Sequence, residues 1–361
     1  MRKRALSFIG IAFSAVLLSG CVFQGEQTLE EMDAPQDETT NEAVNEDKNS
    51  EASSKSEQGQ AEEEVVSETI DRQLYLLDQN GMVVPRSVPL PKTDSNEVAK
   101  QALEFLVKGG PVTEVLPNGF QAVLPAGTQI NGLNLKEDGT LVVDVSKEFA
   151  EYRPEDELKI LQSMTYTLTQ FDNVKKVMLQ INGHATEEMP VNGTPMKDGY
   201  SRANGINIHV GDVMDLTDSK SVTVYYPSQH DEHFYYVPVT KRMDVVEGEE
   251  YKAVVQSLVN GPSYDLNLLS VFNEGVELLE NPEYKDGVLT LTFNEHILNN
   301  FEDQSILSQK VMDSLVLSLT EQDGVEAVDV KVENNDQVYT EQGAVLSKPV
   351  SRPDMVNTGS F

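Results

Sequence analysis

The sequence predicts an α+β protein of two tandem, homologous, two-layer domains, and three observations predict it. The chain matches itself at a nearly constant spacing. Each copy shows apolar residues at helical and then at strand period, and each runs helix, strand, strand, helix, strand. At 361 residues the chain exceeds one domain of about 150 residues and suits two plus a tail.

From the N-terminus, Arg2, Lys3 and Arg4 precede an uncharged run from Ala5 to Leu18, 14 residues long. That is too short to span a hydrocarbon core of about 30 Å as a helix, so residues 1–20 read as a secretory signal. The run ends in Leu18-Ser19-Gly20-Cys21, which resembles the lipobox of bacterial lipoproteins, with the chain's only cysteine at the cleavage point. The resemblance implies a mature protein beginning at Cys21, lipidated there with diacylglycerol and palmitate-type chains and held on the extracytoplasmic face of the membrane. Two or three acyl chains, at about 0.8 kcal/mol per buried methylene, anchor durably where one does not.

Residues 21–68 read as an acidic tether. Val22 to Glu68 holds 15 Asp and Glu against Lys48 and Lys55, with no apolar periodicity. Such a segment cannot offset its chain entropy by burial and is expected to be disordered, spanning about 40 Å as a flexible coil.

The repeat follows, as domain 1 over residues 69–210 and domain 2 over 219–361. Leu106-Val107-Lys108-Gly109 matches Leu258-Val259-Asn260-Gly261 at an offset of 152, and Asp138-Gly139 matches Asp286-Gly287 at 148. Val174 to Ile181 matches Val325 to Val332 at 151, and Ser201-Arg202-Ala203-Asn204 matches Ser351-Arg352-Pro353-Asp354 at 150. Units of about 140 residues can each own a core, so they read as domains rather than solenoid turns.

Within each copy, a strand near Gln73 to Leu77 or Val222 to Tyr226 comes first. The first helix buries Ala99, Ala102, Leu103 and Leu106, or Tyr251, Val254, Val255 and Leu258, spaced i, i+3, i+4, i+7. Asp94-Ser95-Asn96-Glu97 resembles a capping box, and Gly109-Gly110-Pro111 and Gly261-Pro262 stop the helices. Hairpin turns at Asp138-Gly139 and Asp286-Gly287 lead into alternating Leu141, Val143, Val145 and Leu289, Leu291, Phe293. A second helix carries Ile160, Leu161, Met164 and Leu168, or Val311, Met312, Leu315 and Leu319, and Pro154 marks its start in copy one. A strand with Val177, Leu179 and Ile181, or Val328, Val330 and Val332, closes the core. Two helices cover one face of such a sheet, leaving its other face and edges to partners.

Charge excludes one class of function. Sixty acidic against 27 basic residues give a net charge of -33, which repels nucleic acid. A mean hydropathy of -0.36 excludes a polytopic membrane protein. One cysteine permits neither an intrachain disulfide nor a thiolate metal cluster.

No GxSxG elbow, Walker loop, GxGxxG fingerprint or HExxH helix occurs. His230 and His233 are candidate metal ligands, but they lie in a polar connection between two strand-like runs, and the expectation is no metal and no cofactor. Asp212, Asp215 and Asp218 lack the glycine and closing glutamate of a calcium loop and read as an acidic linker. Tyr225, Tyr226, Phe234, Tyr235 and Tyr236 offer a sugar-stacking platform, against the plainer reading of a half-buried strand. Arg202 and Arg352, at matched positions, either pin each domain's last segment through a carboxylate fork or meet a partner.

The lipobox, the tether and the closing segments Ser201-Arg202-Ala203-Asn204-Gly205-Ile206-Asn207 and Ser351-Arg352-Pro353-Asp354-Met355-Val356-Asn357 resemble the GerM-type sporulation and germination lipoproteins with tandem GerMN domains. Copy one departs at Ala203 and Gly205. The resemblance implies an envelope protein of the sporulating cell, in the forespore envelope, without an assigned catalytic site. The element order is also similar to a ring-building motif of secretion-type and forespore channel complexes.

Three functions follow as expectations. The first is a non-catalytic assembly factor that binds envelope or forespore channel proteins, since duplication strengthens binding through effective concentration and no polar cluster is duplicated. The second is a peptidoglycan-binding or cortex-modifying protein using the aromatic cluster and a carboxylate pair. The third, a solute-binding lipoprotein, expects two lobes joined by crossovers rather than sequential repeats.

Overall fold

The structure is a computed structural model that describes residues 68–94, 97–210, 219–301 and 304–357. Cys21, its lipobox, the tether as far as residue 67 and Asp212, Asp215 and Asp218 lie outside the described residues. Domain 1 runs β1 (Thr69–Leu77), β2 (Val83–Pro91), α1 (Val98–Glu104), β3 (Ile130–Leu135), β4 (Thr140–Val145), α2 (Glu157–Leu168), β5 (Lys176–Ile181) and β6 (His184–Ala185). Domain 2 repeats this as β7 (Ser219–His230), β8 (His233–Asp244), α3 (Glu250–Asn260), β9 (Glu283–Lys285), β10 (Val288–Phe293), β11 (Leu298–Phe301), β12 (Gln304–Leu307), α4 (Gln309–Leu319), β13 (Ala327–Val332), β14 (Tyr339–Thr340) and β15 (Val350–Ser351).

Each domain holds a four-stranded sheet, ordered β3-β4-β5-β6 in one and β15-β13-β10-β9 in the other. The central pairs β4/β5 and β10/β13 are parallel, with α2 and α4 as their crossovers. Leu141, Val143, Val145, Val177 and Leu179 bury one face in domain 1, as Leu289, Leu291, Phe293, Val328 and Val330 do in domain 2. The turn glycines work as the sequence predicts: Asp286 and Gly287 both take positive φ (49° and 82°), which a two-residue hairpin loop requires. Gly261 ends α3 at φ 77°. The capping box at the first helix falls partly outside the described residues, and Glu97, the N-cap, makes no side-chain cap bond.

The expected lone N-terminal strand is one arm of a hairpin. β1 pairs with β2 from Thr69↔Pro91 to Leu77↔Val83, and β7 with β8 from Ser219↔Asp244 to His230↔His233. β2, to which the sequence pattern assigns no element, carries prolines at 85, 89 and 91. The backbone of Tyr75, which faces Pro85, bonds away from the hairpin, its N–H reaching Thr167 Oγ1 at 3.0 Å. Tyr75 and Pro85 are therefore a non-hydrogen-bonded pair, and by alternation Pro85, Ser87, Pro89 and Pro91 all turn their missing or free N–H groups outward.

The hairpin adds a layer behind the second helix. The apolar side of α2 packs on the sheet, while its hydroxyl side meets β1, so residues 160–168 are buried all round. Ser163 donates to the carbonyl of Tyr75 and Thr167 accepts its N–H. Domain 2 repeats the second of these bonds with Ser318, which accepts the N–H of Tyr225 at 2.8 Å. Hydroxyls thus satisfy a strand edge that would otherwise be buried unpaired.

Candidate functional site

A group of polar residues converges at the seam between the domains, where β2 approaches β8. A direct ladder cannot close there, because Pro85 and Pro238 at its centre have no N–H. Two asparagine side chains bridge instead. Asn207 accepts from Val83 N at 2.8 Å and donates to the carbonyls of Val83 and Pro238, each at 2.7 Å. Asn357 accepts from Tyr236 N at 2.7 Å and donates to the carbonyls of Tyr236 at 3.0 Å and Pro85 at 2.8 Å. Val83 and Pro85 of one domain correspond to Tyr236 and Pro238 of the other, so the two bridges have the same pattern. Both asparagines hold positive φ (46° and 59°), a conformation Asn tolerates better than most residues. Ile206 and Val356, one residue earlier, are buried in matching tyrosine-lined niches.

Beside the bridges, Arg202 and Arg352 meet on one carboxylate. Arg202 Nη1 donates to Glu321 Oε1 at 2.9 Å, and Arg352 Nη2 lies 3.1 Å from Oε2. Tyr225 OH also donates to Oε2 at 3.1 Å and accepts from Arg352 at 2.8 Å. Each guanidinium lies over a ring, Arg202 on Tyr166 at 4.6 Å and Arg352 on Tyr225 at 5.0 Å, and each bonds a threonine of its own domain, Thr169 or Thr320. Burial alone would raise the Glu321 pKa, but the two guanidiniums outweigh it and hold the carboxyl below its usual range. The arginines therefore pin both closing segments with one shared acid, which belongs to domain 2 alone; its counterpart in domain 1 is Gln170.

At the other end of the seam the pairing is again unequal. Tyr235 OH donates to Asp78 Oδ2 at 2.8 Å and accepts from Ser228 at 3.1 Å. Arg86, 1% exposed, stacks 5.0 Å from the Phe120 ring, and burial lowers its pKa to about 10. Phe120 in turn meets Tyr235 edge-on at 5.2 Å.

His230 and His233, the sequence candidates for metal, flank the turn of the second hairpin. His230 packs its ring on Gly119 and bonds Gln79 at 2.9 Å, both in domain 1. No group of three His, Cys, Asp or Glu suited to a metal occurs among the described residues. Of the aromatic run, Tyr225, Tyr226 and Tyr235 are buried and Phe234 lies under Lys310, so the plainer strand reading describes their positions. A shallow cavity of about 410 Å³ beside α1, lined by Glu104, Lys108, Thr128, Gln129 and glycines, brings one acid to a backbone-rich wall. No helix among the described residues is long and apolar enough to cross a membrane.

Sequence reasoning found Arg202 and Arg352 but missed Glu321, Asn207 and Asn357. The asparagines end both copies of the closing motif, which was the available signal.

The Germane family model, described as sporulation and spore germination, matches residues 73–187 and again 223–338. The chain is 47% identical over 369 aligned residues, covering all of both chains, to spore germination protein GerM of Bacillus subtilis (strain 168). Its structure is similar to that of the tandem GerMN domains of the sporulation protein GerM from Bacillus subtilis, with a TM-score of 0.74 and 50% identity over 80% of this chain and all of that one.

Proposed function

Since the chain belongs to the Germane family of sporulation and spore germination proteins, we propose that it works there as a lipid-anchored, non-catalytic assembly factor. In this reading Cys21 carries the anchor on the extracytoplasmic face, in the forespore envelope, and the tandem body binds envelope or channel proteins. The observation that supports it is where the converging polar groups go. Arg202, Arg352, Glu321, Asn207 and Asn357 are consumed in joining the domains, which makes a rigid pair rather than a reactive cleft. A rigid pair presents two sheets at a fixed spacing, so a partner engaging both gains effective concentration.

The test has two arms. Full-length protein and Cys21→Ala are compared by detergent phase partition; the wild type is expected in the detergent phase and the variant in the aqueous one. In sporulating cells, photocrosslinkers at Met178 and Thr290, on the outward sheet faces, should capture the same envelope protein. Binding to purified sacculi with release of muropeptides would instead establish the cortex-modifying reading.

A further inference from the structure

The two domains end their first helices alike but cover those ends differently. Gly109 follows α1 and Gly261 follows α3, both at positive φ (71° and 77°), and Gly127 and Gly275 are a second matched pair, at 78° and 83°. In domain 2 the chain itself covers both glycines. A Cβ at Gly261 would lie 3.1 Å from Ser270 Oγ, and the His296 ring lies against Gly275. Their carbonyls are taken as well: Tyr226 OH donates to that of Gly261 at 3.4 Å, and Asn294 Nδ2 and His296 Nδ1 reach that of Gly275 at 2.8 and 2.9 Å. In domain 1 a Cβ at Gly109 would meet nothing within 4 Å, and one at Gly127 only the Glu148 side chain, at 3.8 Å. Neither glycine uses its backbone N–H or carbonyl among the described residues. The residues matching Tyr226 and His296 are Leu76, which has no donor, and Glu148, which as a carboxylate only accepts. Both bare glycines line the cavity of about 410 Å³, with Val107 and Ile130 as apolar wall and Glu104 and Lys108 beside them. Glu104 lies 3.9 Å from Lys100, whereas Lys108 has no ion pair or hydrogen bond among the described residues. Domain 2 has Asn260 in its place.

We propose that this cavity is a docking site for an extended acidic peptide segment of a partner protein. The second copy favours a peptide as occupant, because what lies on the matched glycine there is polypeptide, at Ser270. A main chain laid over Gly109 and Gly127 finds free donors and acceptors, and the missing Cβ atoms let it approach closely. A carboxylate carried by the peptide meets Lys108. The cavity lies beside α1 and the start of β3, not among the sheet residues Met178 and Thr290, so this site and the sheet faces stand or fall separately.

The full chain, isotope-labelled at the amide nitrogens of its 23 glycines, is titrated with N-acetyl-Ala-Asp-Ala-amide, N-acetyl-Ala-Asn-Ala-amide and N-acetylglucosamine at constant ionic strength. The acidic peptide is expected to shift the Gly109 and Gly127 signals saturably, half-complete at about 1 mM. Gly261 and Gly275, the covered counterparts, should stay in place. The asparagine peptide should bind about threefold more weakly, since one exposed ion pair is lost. Lys108→Asn, which copies the domain 2 residue, should bring the two peptides to the same affinity. Absence of a saturable shift with the acidic peptide, equal affinity of the two peptides for the wild type, or a preference for the acid that survives Lys108→Asn overturns the site. Saturation by N-acetylglucosamine with neither peptide binding overturns it too, and assigns the cavity to a glycan.

Discussion

Domain 1 and domain 2 agree where they face their own cores and disagree where they face each other. The sheet positions from Leu141 to Leu179 and from Leu289 to Val330 are apolar in both, and both second helices put hydroxyls against the hairpin. At the seam, Gln170 opposes Glu321 and Asp78 opposes Ser228. Gly205 stands where the other copy has Met355. Duplication produced two like surfaces, and the unlike residues fit each domain to the other rather than to a copy of itself. Two copies of domain 1 would bring Arg202 to Arg202 with no carboxylate between them.

The largest expected effect breaks that fit at its single acid. Glu321→Gln leaves two largely buried guanidiniums unneutralised and should cost about 3 kcal/mol in urea unfolding, whereas the matched change Gln170→Ala should cost under about 1 kcal/mol. Equal losses would show that the seam is symmetric in energy as well as in shape.

Next comes Gly205, at φ 82° with a Cβ position 2.9 Å from Thr240 of domain 2. Gly205→Met, copying the other domain, should cost about 2 kcal/mol through backbone strain and collision. Limited proteolysis between residues 210 and 219 should then speed up as the domains separate. Met355→Gly should leave that cleavage rate within about twofold, its loss being only backbone freedom of about 1 kcal/mol.

Asn207→Ala and Asn357→Ala sharpen the likeness instead. Each removes three hydrogen bonds of the same pattern, and each should cost about 2 kcal/mol. A difference above about 1 kcal/mol would make the likeness of the two bridges a matter of geometry only.

The smallest effect is in pH. The Glu321 pKa is lowered in the folded protein, so its contribution is complete above the unfolded value of about 4.3 and is lost as pH falls through the folded value. Acid titration of wild type against Glu321→Gln should show the difference begin to shrink as pH falls past the unfolded value of about 4.3 and disappear only once pH is below the lowered folded value.

Much of the fold was legible because it rests on period. Two copies of a helical and a strand pattern, with Asp-Gly turns between, fix the order of elements and the inward faces. β2 was not, because Pro85, Pro89 and Pro91 signal a break in a single sequence, and only the neighbouring strand shows that they occupy an outer edge. The polar side of α2 was silent for a related reason: nothing in the sequence marks Ser163 and Thr167 as buried, and only the second layer that covers them does. At the seam, the matched arginines stood out by repetition, while Glu321 could not, since it is the position at which repetition fails.

The prolines on the rim of β2 also bear on the order in which the molecule is made. Domain 1 leaves the ribosome before its mate exists, with the surface meant for that mate uncovered. Lacking amide hydrogens at 85, 89 and 91, that rim is a poor template for a stray strand from a neighbouring nascent chain. The asparagine amides then join the halves without either hairpin having to be threaded into the other.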